Sequence, residues 1–488
     1  MKKALLFVMI VAITLTLLPT ATGISSVAAD SDKSAKIETS KTDTVKVETA
    51  KIEKNDGSSI KIIYPVLSGF TSAEKINDLL KNSNLDAIGT VRKEQSYLEE
   101  YIKGMPQKIQ DPPFASIDSS YDYNKSGDIL SFVTNTYFYA GGAHGMTSLD
   151  SYTVNTKSGE LYSFSSLFNS KSNYKKVILD SIKKSIDKEK NMYFEDAKTT
   201  VDKANSNYKF YIDGNKLVIY FGVYELRPYA GGIARFSLTA KELKGLLKDD
   251  VYNQMINAKP LEKIRLNGIS AKTQFKTYEK DYVLMVPLKT TADILGYKVG
   301  WDSKNGASIA GGFIKNNVDT YYTTGSKKIK LTPAKVIGNV MYVPVTYFSE
   351  VLKEDVSFDG EALRLFTKST VTPSQFDTQS TEFIKADSAE ECADLYAKAV
   401  KERKGVVQYG LMSAKLREAN KKGFEELNWV TGVSSPWVTT YNVKDNGNGN
   451  FKITFNWATS AGKSPDTTVT LSVSEVKDQQ YFEITSIK

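Results

Sequence analysis

The sequence predicts a multidomain α+β protein, and three observations carry that prediction. The block Tyr-Ala-Gly-Gly stands at residues 139–142 and returns 90 positions later at 229–232. A longer repeat, offset by 57, relates 286–302 to 343–359, and the tail from 381 onward reads as helices followed by strands. Apolar residues recur with period 2 in some segments and 3.6 in others, the mixture expected of sheets and helices packed in layers.

At the N-terminus Met1-Lys2-Lys3 is basic, residues 4–18 are apolar, and Val27-Ala28-Ala29 is a small-residue cleavage site before Asp30. Residues 1–29 therefore read as a secretory signal peptide, too short for a comfortable span, or, left uncleaved, as an N-terminal anchor. No cysteine adjoins the cleavage site, which argues against a lipoprotein anchor. No other run of about 18 apolar residues exists, so the mature chain is expected to carry no transmembrane span and to be secreted or wall-associated. The lone Cys392 cannot form an internal disulfide, so an exported chain of this size must rest on apolar cores. Residues 30–43 are Ser, Thr, Lys and acid with almost nothing apolar, a flexible leader.

The net charge of +8 is unevenly distributed. Residues 56–150 hold 8 Lys/Arg against 12 Asp/Glu, 151–250 and 251–377 each hold 17 against 12, and 378–488 balance at 14 against 14. A basic surplus on an exported surface suits anionic wall polymers or phospholipid head groups, and solvated lysines that maintain solubility are the plainer reading. With no basic block in an exported chain, nucleic acid is not an expected partner.

Order begins after the leader. Val45, Val47, Ala50 and Ile52 precede the turn Asn55-Asp56-Gly57, and Ile60, Ile62 and Tyr64 follow it, a hairpin pattern. Thr71 with Glu74 makes a capping box for a helix with Ile76, Leu79, Leu80, Ile88, Val91, Leu98 and Ile102 on its apolar side, stopped by Asp111-Pro112-Pro113. Strands are predicted over 114–123, 129–139 and 147–154, the first two joined at Lys125-Ser126-Gly127-Asp128, the third ending at the turn Lys157-Ser158-Gly159. A helix near 172–189 carries Val177, Ile178, Ile182 and Ile186. A second hairpin turns about Asp213-Gly214-Asn215, and Thr239 with Glu242 forms another capping box.

With these residues in view, the run from 44 to 250 resembles paired extracytoplasmic domains of unknown function from Gram-positive bacteria: DUF4163-like over 44–165 and DUF3298-like over 166–250. The resemblance rests on Ile63-Tyr64-Pro65, on residues 139–145 ending in Gly-Gly-Ala-His-Gly, on Asn155-Thr156-Lys157-Ser158-Gly159-Glu160 and on the second Tyr-Ala-Gly-Gly. Such domains accompany peptidoglycan deacetylases and form the outer part of a lysozyme-sensing anti-sigma factor. The resemblance implies an envelope module that recognises wall material or a protein attacking it. The chain departs from both relatives, with neither a deacetylase domain nor a cytoplasmic domain.

In the second repeat, Val286-Pro287 aligns with Val343-Pro344, and Trp301-Asp302 with Phe358-Asp359. Each copy reads as a strand ending at proline, a short helix, and a strand starting at the aromatic-Asp pair, so the repeated residues are mostly core and turn positions. This pattern is similar to the copper amine oxidase N-terminal-like domain, over 258–367, and the resemblance implies a β-rich stalk or wall-association module. Oxidase copper sites need several imidazoles, and the chain has only His144. Residues 368–380 read as a linker. In the tail, 381–488, Cys392, Leu395, Tyr396 and Val400 mark a first helix. Leu411, Leu416, Phe424 and Leu427 mark one or two more before strands at 437–444, 450–458, 467–475 and 480–487. Helices followed by an antiparallel sheet resemble the cone of nuclear transport factor 2-like (NTF2-like) domains.

The candidate chemistry is sparse. His144 has no second imidazole to share a metal, a zinc deacetylase would need at least two histidines, and Cys392 sits on the apolar side of a helix. No cofactor and no copper amine oxidase or zinc deacetylase activity is expected. The 28 tyrosines suit sheet packing and could also stack on sugars. Because aromatic residues flank both glycine pairs, the candidate ligand-binding residues are Tyr137, Tyr139, Gly141, Gly142, His144, Tyr224, Arg227, Tyr229, Gly231 and Gly232, with Arg227 as the charged contact. The expected function is non-catalytic recognition of a cell-wall polymer or of a secreted protein such as lysozyme. A carbohydrate hydrolase using a carboxylate pair and a structural wall or coat component are the alternatives.

Overall fold

A computed structural model describes residues 45–55, 57–105, 112, 114–323, 327–368, 384–427, 429–432, 435–477 and 479–488. The expected signal peptide and leader, the linker beyond Lys368, and Asp111 and Pro113 lie outside these residues.

β1 (Lys46–Asn55) and β2 (Ser59–Ser68) form the expected hairpin, in register from Lys46 opposite Ser68 to Asn55 opposite Ser59. A 31-residue helix, α1 (Ala73–Lys103), then crosses to β3 (Ser116–Ser126), which joins β2 in parallel, the one pairing here that needs a long crossover. β4 (Ile129–Tyr139) and β5 (Met146–Asn155) complete a sheet of spatial order β1-β2-β3-β4-β5. Ile76, Leu80, Ile88, Val91 and Leu98 are buried as expected, but Leu79, one position off that stripe, is exposed. The Thr71–Glu74 box does not form. Ser72 is the N-cap and makes no side-chain capping bond; the turn at Gly159 folds against it, where a Cβ would stand 2.5 Å from Ser72 Oγ.

The second domain contains α2 (Tyr174–Lys188), α3 (Ala197–Lys203), β6 (Lys209–Asp213), β7 (Lys216–Phe221), β8 (Ala234–Thr239) and α4 (Asp249–Met255). The antiparallel sheet β6-β7-β8 and the helices enclose one core that includes Phe164, Ile178, Ile182, Leu217 and Phe236. The box at Thr239 does form: Glu242 N donates to Thr239 Oγ1 at 3.3 Å, and Thr239 N donates to Glu242 Oε2 at 2.7 Å. Val251 and Met255 of α4 are in the same core, so this domain runs past residue 250. It meets the first sheet largely through polar contacts. Ile212 N donates to Ser131 Oγ at 2.9 Å and Ser151 Oγ to Phe210 O at 2.6 Å, beside a small apolar cluster of Val133, Leu149, Tyr220 and Ile233.

The third domain is built of short strands: β9 (Ile264–Leu266), β10 (Ile269–Ser270), β11 (Tyr278–Lys280), β12 (Val283–Pro287), then α5 (Leu288–Ile294), β13 (Val299–Asp302), β14 (Gly306–Ile309), β15 (Gly312–Ile314), β16 (Thr320–Tyr322), β17 (Lys328–Lys330), β18 (Lys335–Ile337), β19 (Val340–Pro344), a π-helical turn at Tyr347–Val351, β20 (Asp355–Phe358) and β21 (Leu363–Phe366). The repeat folds into a local two-fold. β12 and β19 run antiparallel, and Val286 lies opposite Val343, its own counterpart 57 residues on. One detail differs from expectation, since the aromatic-Asp pairs end their strands. The carboxylates explain it: Asp302 Oδ1 accepts from Lys304 N at 3.0 Å and from Asn305 N, and Asp359 Oδ1 accepts from Glu361 N and Ala362 N at 3.0 and 2.9 Å. Both copies thus close a strand with the same Asp-capped turn.

The tail forms α6 (Ala389–Lys401), α7 (Gly405–Gly410) and α8 (Ala414–Glu426), then an antiparallel meander of β22 (Trp437–Asp445), β23 (Asn450–Thr459), β24 (Gly462–Val476) and β25 (Tyr481–Ile487). Cys392, Leu395 and Tyr396 are buried between helices and sheet, as their spacing predicts. This domain docks on α1: Tyr97 packs against its core, Lys404 Nζ pairs with Glu99 at 2.7 Å, and Lys93 Nζ pairs with Glu391 at 3.2 Å.

The third domain is fastened to β3 by a buried charge. Asp122, 2% exposed, accepts from Arg364 Nη2 at 2.7 Å and also from Arg265 Nη1, while Arg364 Nη1 reaches Asp359 at 2.7 Å. Tyr121 alongside packs against Phe366 and Gly268. Removing one partner of such a pair strands the other charge out of water, at a cost of about 3–5 kcal/mol. Asp122→Ala is expected to lose about that much stability in chemical denaturation. A change under about 1 kcal/mol would show that the junction does not depend on the carboxylate.

Candidate functional site

The two glycine-pair segments meet. β4 delivers Tyr137 and Tyr139, the loop 140–145 turns back, and the segment between β7 and β8 brings Tyr224 and a single 3₁₀ turn at Tyr229–Gly231 to the same place. The rings of His144 and Tyr229 stack with centroids 3.9 Å apart and planes 18° apart. Tyr224 flanks them, its ring 5.9 Å from that of Tyr229 and its hydroxyl 3.5 Å from His144 Nε2. His144 Nδ1 lies 2.9 Å from Gly145 O, and since a carbonyl only accepts, Nδ1 is the donor of that contact.

Backbone constraints hold this arrangement. Gly145 N donates to Tyr137 Oη at 3.0 Å, and a Cβ at Gly145 would stand 2.4 Å from Phe138 O and from the Tyr137 ring. Gly232 has φ +65° and ψ −154°, a conformation essentially confined to glycine. Tyr224 itself has φ +63°, an uncommon state for a bulky residue, with its side chain 48% exposed. Burial, and then the neighbouring Tyr137 and Tyr224 phenols, raise the Tyr229 phenol above its ordinary value. Tyr229 is therefore a neutral hydroxyl donor across the physiological range.

Not every expected residue joins the cluster. Tyr139 is half-buried at the strand end, and no hydrogen bond or ring stack ties it to His144, Tyr224 or Tyr229. Gly142 is exposed, Gly141 rests against Leu98 of α1, and Gly231 rests against the Arg227 side chain. Arg227 is partly engaged by its own loop. Its Nε donates to Gly232 O at 3.2 Å, its Nη2 donates to Ile233 O, and its guanidinium lies 5.8 Å from the Tyr193 ring centroid. Its role is to clamp the second glycine pair. Gly145 and Tyr193 are structural members missed from the sequence. The glycine beside the lone histidine was the available signal for the first, and nothing in the sequence marks the second.

The site is an exposed aromatic shelf. Tyr137 is 40% exposed and His144 is exposed, so part of each ring faces solvent. Among the described residues no carboxylate is hydrogen-bonded to His144, and no group of three His, Cys, Asp or Glu is placed to hold a metal. Cys392 is fully buried, and burial pushes its thiol up to about 12, so it remains an unreactive core residue.

Comparisons with known proteins match three stretches. A family described as Deacetylase PdaC matches residues 52–147, Protein of unknown function (DUF3298) matches 165–241, and Copper amine oxidase N-terminal domain matches 265–367. No curated protein matches. Similar solved structures include a DUF3298-family protein from Bacteroides fragilis, 14% identical, covering 44% of this chain and 98% of its own at a TM-score of 0.30. A DUF3298-family protein from Pseudomonas aeruginosa is 10% identical, covering 43% and 95% at 0.28. The matched segment 265–367 does not fit copper, since it contains neither histidine nor cysteine.

Because the chain has a single histidine, its ring protons report the stack without ambiguity. Replacing Tyr229 by Leu is expected to remove the ring-current shift on the His144 resonances, moving them towards unstacked positions in a proton NMR spectrum. Unmoved resonances would contradict the stacked geometry.

Proposed function

We propose that the chain is a non-catalytic binding protein of the cell envelope and that its first two domains recognise wall glycan on the His144–Tyr229 shelf. The supporting observation is that segments 90 residues apart build one exposed aromatic platform. Flat rings cover apolar sugar faces, and the hydroxyls at their edges bond sugar oxygens. The match to a deacetylase family, together with the resemblance to domains that accompany peptidoglycan deacetylases, points to the same class of ligand. Among the described residues no helix is long and apolar enough to cross a membrane, which accords with an extracytoplasmic, wall-associated chain. In this reading the third domain is a spacer in fixed contact with the recognition module, and the tail is an accessory domain of NTF2-like shape.

The appropriate test uses the full chain, because the first sheet is covered by the third domain on β3 and by the tail on α1. Co-sedimentation with purified peptidoglycan is expected to saturate, and Tyr229→Ala or His144→Ala to weaken it about tenfold or more. Absent binding, or binding indifferent to both substitutions, would overturn the glycan reading. Saturable binding to lysozyme instead would favour a protein ligand, and release of sugar from murein would favour a hydrolase.

A further inference from the structure

A second surface, in the third domain, combines charge with exposed apolar rings. Residues 298–337 contain seven lysines, two aspartates and no Glu or Arg, a net +5 in forty residues. All seven lysines are exposed, and among them only Lys330 lies within ion-pair range of a described carboxylate, Asp319 at 3.9 Å. Between Trp301 and Val340 stand 6 of the 19 exposed large hydrophobic side chains of the described chain, far above the share expected for so short a stretch.

Strand alternation places the central members on one side. Ile314 of β15 and Tyr321 of β16 point into the core at 4% and 2% exposure, so their neighbours Phe313 and Tyr322, each 49% exposed, point away from it. β15 runs beside β16, with the Cβ position of Gly312 3.9 Å from Tyr322 O. Across the β16–β17 pair, Lys328 lies opposite Tyr322 and Lys330 opposite Thr320, while Ile329 pairs with the inward Tyr321. The outward side therefore presents Phe313, Tyr322, Lys328 and Lys330 together.

We propose that this outward side of β15–β17 docks the chain onto an anionic lipid bilayer. A soluble polyanion would satisfy the lysines but leave the exposed rings of Phe313 and Tyr322 in water. The interfacial zone of a bilayer accepts aromatic and aliphatic side chains just below a layer of phosphate charge. The attachment is peripheral and independent of the glycan shelf. Each lysine close to an anionic leaflet contributes roughly a factor of five in partitioning, screened by salt.

Sedimentation of the full chain with vesicles of phosphatidylcholine, alone or mixed with phosphatidylglycerol, tests this. Binding is expected only to the anionic vesicles and to weaken with salt. Lys328→Gln with Lys330→Gln should reduce partitioning about thirtyfold, and Phe313→Ser should reduce it at unchanged charge. All three positions are exposed, so unchanged unfolding curves are expected to accompany the loss. No binding to anionic vesicles, or binding untouched by Phe313→Ser, would overturn the proposal. So would equal affinity for a soluble glycerol-phosphate polymer.

Discussion

One buried carboxylate organises the joint between domains. Asp122 lies on β3, the middle strand of the first sheet, and receives guanidinium groups from both Arg265 and Arg364. A lone carboxylate there would bear the full cost of losing its water, so this face of β3 is tolerable only with the third domain in place. The same face extends the attachment. Asn124 Nδ2 donates to Lys259 O at 3.0 Å, and Asp213 of β6 accepts from Leu261 N at 2.6 Å, so the segment leading into the third domain is held by the first two.

A second constraint converges on α1. Its inner side supplies Leu85, Ile88 and Val91 to the core against β1 and β2, and its outer side carries Tyr97 and Glu99 to the tail. Leu98 is the seat on which Gly141 rests. The helix thus connects the loop of the aromatic shelf to the docking of the last domain, and the shelf is held by packing well outside its own strands.

Period-2 and period-3.6 patterns made the strands, the long helix and both hairpins legible, because burying one side of an element imposes that spacing whatever it packs against. The 57-residue repeat was legible as paired units, while the two-fold relating them was not, since it exists only once β12 meets β19. The glycine pairs signalled close backbone approach, and Tyr224, His144 and Tyr229 do meet. That Arg227 also holds its own loop was not legible, because a sequence does not show which donors the main chain already occupies. The domain joints were hidden for a related reason. Asp122, Arg265 and Arg364 are separated by up to 242 residues, and each alone looks like an ordinary surface charge.

The account turns on the two Tyr-Ala-Gly-Gly segments forming one recognition site shared by two domains. The most direct measurement is a double-mutant cycle on peptidoglycan binding by the full chain, combining His144→Ala with Tyr229→Ala. A shared shelf predicts losses that fail to add, with a coupling of at least about 0.5 kcal/mol. Losses that add within error would contradict it and separate the two segments in function.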